Sequence, residues 1–382
     1  MQADTVDWEN GRITDEGLAF MRSRLGVPMP DGSWNTEVTR DGVWHFAHGI
    51  GDDNPLWYDR ACAEASPWGR TFAPPCCLYS HFNGPLLRPE QGRLSVDEYL
   101  PGVLALWAGD RWRWLRPAYV GEEILPRTEL TEVTVDEGAF GGRSVTQVEK
   151  VSLVSSNGDL VAEVCRTLKR FERGATRGRS RYLDRARASY TEDDRARFAD
   201  QYRAEAARRR GPTLRAVTDV QVGERLPRLL KGPLTVNNLV GFMQGWGGPL
   251  CAANRMSRTI LDLHPGVRML HPVSGIEENI ESPHWDRELA RASGMADGYD
   301  FGGQRISWLS HLVTDWMGDA GFLQDLEVQL RRPNFLGDVT WLDGEVVAVT
   351  PRDGVVTISL QATNQLDEVT AKGVAKVRLP AG

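Results

Sequence analysis

Alternating polar and apolar residues dominate two stretches of the chain. After residue 122 the runs "TELTEVTV", "SVTQVEKVSLVSS" and "DLVAEVCRTLKRF" are broken by "DEGAFGG" and "SNGD". After residue 338 the runs "VTWLDGEVVAVT", "VVTISLQAT" and "VTAKGVAKVRL" are broken by "PRDG" and "NQLDE". β-Branched runs of this length, divided by turn residues, predict an antiparallel meander in each half. Both meanders are entered through similar heptapeptides, "RPAYVGE" at 116–122 and "RPNFLGD" at 332–338.

Helical periodicity appears ahead of each meander. In "GGQRISWLSHLVTDWMGD" the residues Ile306, Leu309, Leu312, Val313 and Trp316 fall at helical spacing, with Gly302 and Gly303 before them and Gly318 near the end. In the first half "CCLYSHFNGPLL" predicts a shorter helix starting near Pro75. A helix followed by a strand meander, twice, predicts an α+β protein with each helix packed on an antiparallel sheet. A second correspondence, "PLWYD" (55–59) against "SPHWD" (282–286), sets Trp57 opposite His284 and Asp59 opposite Asp286. Two matches in the same order point to an internal duplication. We therefore divide the chain into units 1–174 and 213–382. The segment 175–212 is an arginine-rich linker, in which Thr191 before "EDD" predicts a capped helix running towards Gly211. Its arginines read first as a solvated brace and second as a patch for a nucleotide or phosphate.

Composition narrows the function classes. Hydrophobic residues make up 41% and charged residues 25% of 382, as expected of a folded protein rather than a disordered one. A net charge of −7 argues against a general nucleic-acid binder. No run of about 18 apolar residues predicts a membrane span. The N-terminal "MQADTVDWEN" carries acid where a secretory signal carries base, so the expectation is a cytoplasmic protein. Five cysteines without metal spacing read as reduced thiols, mostly buried as small hydrophobes. Thirteen tryptophans fit core packing or a large apolar pocket.

The loop "GDDNPLWYD" followed by "ASPWGRTFAPP" resembles the hydratase-2 signature of the MaoC-like dehydratases, in particular the fatty-acid-synthase-type dehydratase half of their double-hotdog members. The segments "PHWDRELARASGM", "YDFGGQRISWLSHLVTDWMGD" and "RRPNFLGDVTW" resemble the C-terminal hotdog of the same proteins. The resemblance implies a tandem hotdog, each half a central helix wrapped by a curved antiparallel sheet. It implies an enoyl-thioester hydratase or 3-hydroxyacyl-thioester dehydratase, usually R-specific, acting on a coenzyme A or acyl-carrier-protein thioester. No metal or redox cofactor is implied. A homodimer or a hetero-oligomer fits the family.

Adding water across an enoyl thioester needs a base for the water, a proton for C2, and donors to the thioester oxygen. Histidine suits the first role, and the unpaired N–H groups of a helix N-terminus suit the last. The family holds an Asp and a His five positions apart, and neither half keeps both. The first loop has Asp52 and Asn54, but Trp57 stands at the histidine position, and an indole cannot accept a proton. The second has His284 with Asn279 at the aspartate position, and Glu277, Glu278 and Glu281 nearby. His284, Asp52 and Asn279 are the catalytic candidates. By the resemblance, Gly302, Gly303, Asn54, Trp57 and Ala73 would line the thioester site. Asp52 and Asn54 also read as turn caps, and Asp286 as a helix cap. His45, His48, His81, His264, His271 and His311 show no distinguishing partner spacing.

Three arrangements follow: His284 acting in the second half, Asp52 and His284 combining across the halves, or two degraded sites that bind a thioester or a catalytic partner without reaction. A hotdog thioesterase is the remaining enzyme class.

Overall fold

The structure, a computed structural model, describes residues 11–29, 33–82, 100, 102–137, 143–172 and 182–381. The turn at 138–142, the end of the first central segment and the start of the linker lie outside the described residues. In the first half, helices α1 (Asp15–Ser23), α2 (Arg40–Ile50) and α3 (Arg60–Ala65) precede strands β1 (Leu104–Trp114), β2 (Ile124–Glu137), β3 (Arg143–Ser155) and β4 (Leu160–Phe171). The linker contributes α4 (Glu192–Arg208). The second half follows with β5 (Leu229–Lys231), α5 (Val236–Trp246), α6 (Arg255–Leu263), β6 (Arg268–Leu270), β7 (Glu277–Asn279), α7 (Arg287–Ala292) and α8 (Gly302–Met317). It closes on β8 (Phe322–Leu330), β9 (Thr340–Thr350), β10 (Val355–Asn364) and β11 (Val369–Arg378).

Nine strands share one sheet in the order β2-β3-β4-β1-β8-β11-β10-β9-β5. Read outward from its middle, each half repeats the same sequence of strands: first, fourth, third, second. The seam is the antiparallel pair β1–β8, in register from Gly109 opposite Gln329 to Arg113 opposite Asp325. Gly109 permits that approach, since a Cβ there would lie 2.2 Å from the Val328 carbonyl oxygen. A second contact joins the halves where α2 crosses α5. A Cβ on Gly49 would come within 2.5 Å of the Gly241 oxygen, and one on Gly245 within 2.3 Å of Phe46 Cα, so glycine sets the spacing of these helices.

Both meanders form as their turn residues predict. Arg116 pairs with Glu122 at 2.8 Å across the first entry heptapeptide. In the second, Asn334 donates from Nδ2 to Asp300 at 2.8 Å. The central segments differ. α8 is buried along its whole length from Gly303, whereas Pro75–Phe82 forms a 3₁₀ helix of 8 residues instead of an α-helix. A helix buried on all sides must satisfy its polar side chains internally. Arg305 accordingly pairs with Asp300 and donates to the Thr370 carbonyl at 2.8 Å.

In the linker, Thr191 and Asp194 form the expected capping box. The helix ends at Arg208 rather than reaching Gly211, because Arg209 turns to extended geometry and its side chain bonds Asp53 and Asp315. Of the cysteines, only Cys76 and Cys77 are buried, and Cys251 is exposed. Among the described residues no helix is long and apolar enough to cross a membrane.

Candidate active site

The two loops share one backbone construction. Asp52 Oδ1 accepts the N–H of Asn54 at 3.0 Å, and Asn279 Oδ1 accepts the N–H of Glu281 at 2.9 Å. A short 3₁₀ turn follows each, Pro55–Trp57 and Ser282–His284, and then a helix capped by Asp59 or Asp286. Asn279 thus stands where Asp52 stands, Glu281 where Asn54 stands, and His284 where Trp57 stands. The turn-forming role read for Asp52 and Asn54 is present: Asn54 Oδ1 accepts the N–H of Leu56 at 3.1 Å.

In the first loop the acid is enclosed. Trp57 donates its indole N–H to Asp52 Oδ2 at 2.8 Å. The other carboxylate oxygen lies 3.6 Å from His311 Nε2, on α8 of the second half. His311 in turn lies 3.4 Å from Asp315 by the same nitrogen, and its Nδ1 is 2.7 Å from Lys231 Nζ. Lys231 also donates to the carbonyl of Ile50 at 2.9 Å, and Arg209 pairs with Asp315 at 3.2 Å. A protonated Lys231 donating to Nδ1 puts the imidazole N–H on Nε2, facing both carboxylates. Burial pushes the Lys231 pKa down. For Asp315 burial pushes up, but His311 together with the charges of Arg209 and Lys231 outweighs it and pulls the pKa down.

His311 therefore has a defined set of partners that its sequence neighbours did not reveal. The acid of the first loop meets this histidine, while His284 meets the Tyr299 carbonyl. Asp52, His311 and Asp315 each offer one ligand atom within 4.8 Å of the others, a spacing that a metal ion could bridge.

Around Trp57, Trp68, Phe72, Ala73 and Phe322 lies an apolar cleft of ≈ 30 Å³.

The second loop is arranged differently. His284 Nδ1 lies 2.8 Å from the Tyr299 carbonyl oxygen. A carbonyl can only accept, so the proton sits on Nδ1 and Nε2 keeps its lone pair. Burial lowers the His284 pKa to about 4, against the opposing effects of the Tyr299 carbonyl and Asp300. Its ring stacks on Phe301, centroids 3.8 Å apart, and Phe301 is the N-cap of α8 without a side-chain cap bond. The helix N–H groups at Gly302 and Gly303 thus begin beside the imidazole. Trp107, held by its N–H on Asp110 at 2.6 Å, covers both glycines. A Cβ on Gly302 would meet its ring at 2.9 Å, and one on Gly303 at 3.3 Å. Trp246 packs between Trp107 and Phe301, with centroids at 6.3 and 5.4 Å.

Of the three nearby glutamates, two are committed. Glu277 pairs with Arg258 and Arg268, and Glu278 accepts from Ser282 at 2.8 Å. Glu281 is 9% exposed and has no cationic partner among the described residues. Its carboxylate accepts from Cys251 Sγ at 3.8 Å, and burial pushes its pKa up to about 8. Asn279 spends its amide on the Leu250 carbonyl, 3.2 Å away.

A family model described as the FAS1-like dehydratase domain region matches residues 23–164. The beta subunit of the 3-oxo-4,17-pregnadiene-20-carboxyl-CoA hydratase of Mycobacterium tuberculosis (strain ATCC 25618 / H37Rv) is 31% identical over 94 residues, 24% of this chain and 71% of that subunit. The chain belongs to the MaoC-like, FAS1-type dehydratase family. Among solved structures, a MaoC-like dehydratase superposes with a TM-score of 0.65 at 17% identity, covering 94% of this chain and 99% of that one. A conserved hypothetical protein from Mycobacterium tuberculosis, described as having a double hotdog fold, superposes with a TM-score of 0.53 at 14% identity, covering 94% and 98%. The mixed α/β architecture of this MaoC-like protein is consistent with a tandem hotdog.

Proposed function

We propose that the protein is a hydro-lyase that reversibly adds water to a trans-2-enoyl thioester, working around His284. Nε2 takes a proton from water as its oxygen bonds to C3. The N–H groups at the start of α8 stabilise charge on the thioester oxygen. Glu281, protonated at neutral pH, delivers the C2 proton, and the proton on His284 restores it. Asn279 shapes the loop and carries no proton. The observation that carries this reading is His284 itself: a free Nε2 on a ring stacked against the N-cap of α8. Within this proposal the product has R configuration, the carrier is coenzyme A or an acyl carrier protein, and the cell compartment is the cytoplasm. The units 1–174 and 213–382 are two hotdogs, each sheet curved round its central segment, and the assembly is a homodimer.

A second reading is a thioester-binding subunit of a hetero-oligomeric hydratase. It is favoured by Asp52 being occupied by Trp57 and by a relative that is the beta subunit of a hydratase. One assay separates the readings. The purified chain is offered crotonyl-CoA and bulkier enoyl-CoAs, and loss of the conjugated-thioester absorbance is followed. Turnover supports the hydro-lyase; binding without turnover supports the subunit; release of free thiol identifies a thioesterase instead.

A further inference from the structure

The end of α4 and the segment after it form a cleft of ≈ 260 Å³, lined by Arg208, Arg209, Arg210, Arg215, Asp315 and Trp316. Its charges are unevenly matched. Arg209 is neutralised by Asp315 and Asp53. Arg215 pairs with Glu224 at 2.6 Å, and its guanidinium lies 4.4 Å from the centre of the Trp316 ring. Arg215 is only 8% exposed, yet its Nε is buried with no hydrogen-bond partner. Arg208 and Arg210 have no carboxylate partner among the described residues.

Arg210 is also fixed in position. Its N–H donates to the Asp315 carbonyl at 3.0 Å, and its stem packs against Gly318, where a Cβ would come within 3.0 Å of Cγ. Burial and the neighbouring charge of Arg215 lower its pKa, while Glu224 and Asp219 act the other way. Guanidinium groups held together with vacant donors favour an oxyanion that can accept bidentate bonds.

We propose that this cleft binds the phosphate or diphosphate of a phosphate-bearing ligand. Two sources offer that chemistry: the nucleotide end of coenzyme A, which rests on the hydratase reading, and free phosphate or diphosphate, which does not.

The test is calorimetry on the full chain at low salt, with pyrophosphate, coenzyme A and pantetheine as separate probes. Pyrophosphate should bind, and Arg208→Gln with Arg210→Gln should weaken it about 10- to 100-fold, as for loss of charged hydrogen bonds. An equal loss for coenzyme A, with pantetheine unaffected, assigns the site to the carrier. A loss for pyrophosphate alone assigns it to the free anion. Arg210→Lys, which keeps charge but not the fork, gives an intermediate loss and covers the case of a double variant that does not fold. No binding of either anion, or binding unchanged in these variants, overturns the proposal. Hydration of crotonyl-CoA and bulkier enoyl-CoAs by the unaltered protein is scored separately: absent turnover of all of them with intact anion binding removes the hydratase reading and leaves the cleft.

Discussion

Trp57 donates to Asp52 Oδ2 at 2.8 Å, while Oδ1 of the same carboxylate faces His311 Nε2 at 3.6 Å. Both oxygens of the first-loop acid are therefore held by its own loop, Oδ1 by the Asn54 N–H and Oδ2 by Trp57, and Oδ1 also faces the opposite half. Leaving a buried polar group without its partner costs about 1–3 kcal/mol. His311→Ala should lower stability by that order in urea denaturation, with kcat/KM of the surviving folded protein within a few-fold of the unaltered enzyme. A loss of turnover in folded protein would move the chemistry to the first loop.

His284→Ala removes the proposed base and should reduce hydration by roughly 100- to 10,000-fold, read as kcat from the decay of enoyl-thioester absorbance. Its stability should change far less. Unchanged turnover would end the mechanism proposed for the second loop.

The pH profile follows from the two perturbed groups. The base must be neutral, so activity falls as pH drops through about 4. The acid must be protonated, so activity falls as pH rises through about 8. Glu281→Gln should cut kcat roughly 100- to 10,000-fold and abolish the alkaline limb of what remains. An alkaline limb that persists in this variant would assign it to another group.

Asn279→Asp sets a carboxylate at the position from which Asp52 contacts its own loop. A nearby negative charge favours imidazolium. The acidic limb of the rate profile should shift upward, and the His284 resonances in an NMR titration should shift with it. An unmoved limb would mean that residue 279 does not influence the imidazole.

Gly302→Ala and Gly303→Ala form a graded pair. The first would meet Trp107 at 2.9 Å and Leu330 at 2.8 Å; the second meets Trp107 only at 3.3 Å. Overpacking of the first kind costs about 1–3 kcal/mol. Thermal denaturation should rank Gly302→Ala below Gly303→Ala, and the rise in KM should follow the same order.

Much of the architecture was legible because its signals are local. Thr191 and Asp194 announce the linker helix three residues apart, and the two Arg-Pro heptapeptides announce the meanders. His284 could be found by setting one loop against the other. The partners of His311 could not: Lys231 lies 80 residues away, Asp52 lies in the other half, and no periodicity encodes a meeting made by packing. Glu281 was obscured for a related reason. In "IEENIES" three acids read alike, and only burial separates the unpaired one from Glu277 and Glu278. The 3₁₀ segment at Pro75–Phe82 shows the limit of the duplication, since the matching stretch of the second half, Gly302–Met317, is an α-helix.

The β1–β8 seam has a consequence for how such a protein can change. Each half alone would expose the edge of a long strand, a template for aggregation, so the sheet holds both halves in place whichever of them carries chemistry. On the mechanism proposed for the second loop, the first loop and its enclosed acid act as infrastructure, and substitutions there are tolerated only while Asp52 keeps its place facing His311 on α8.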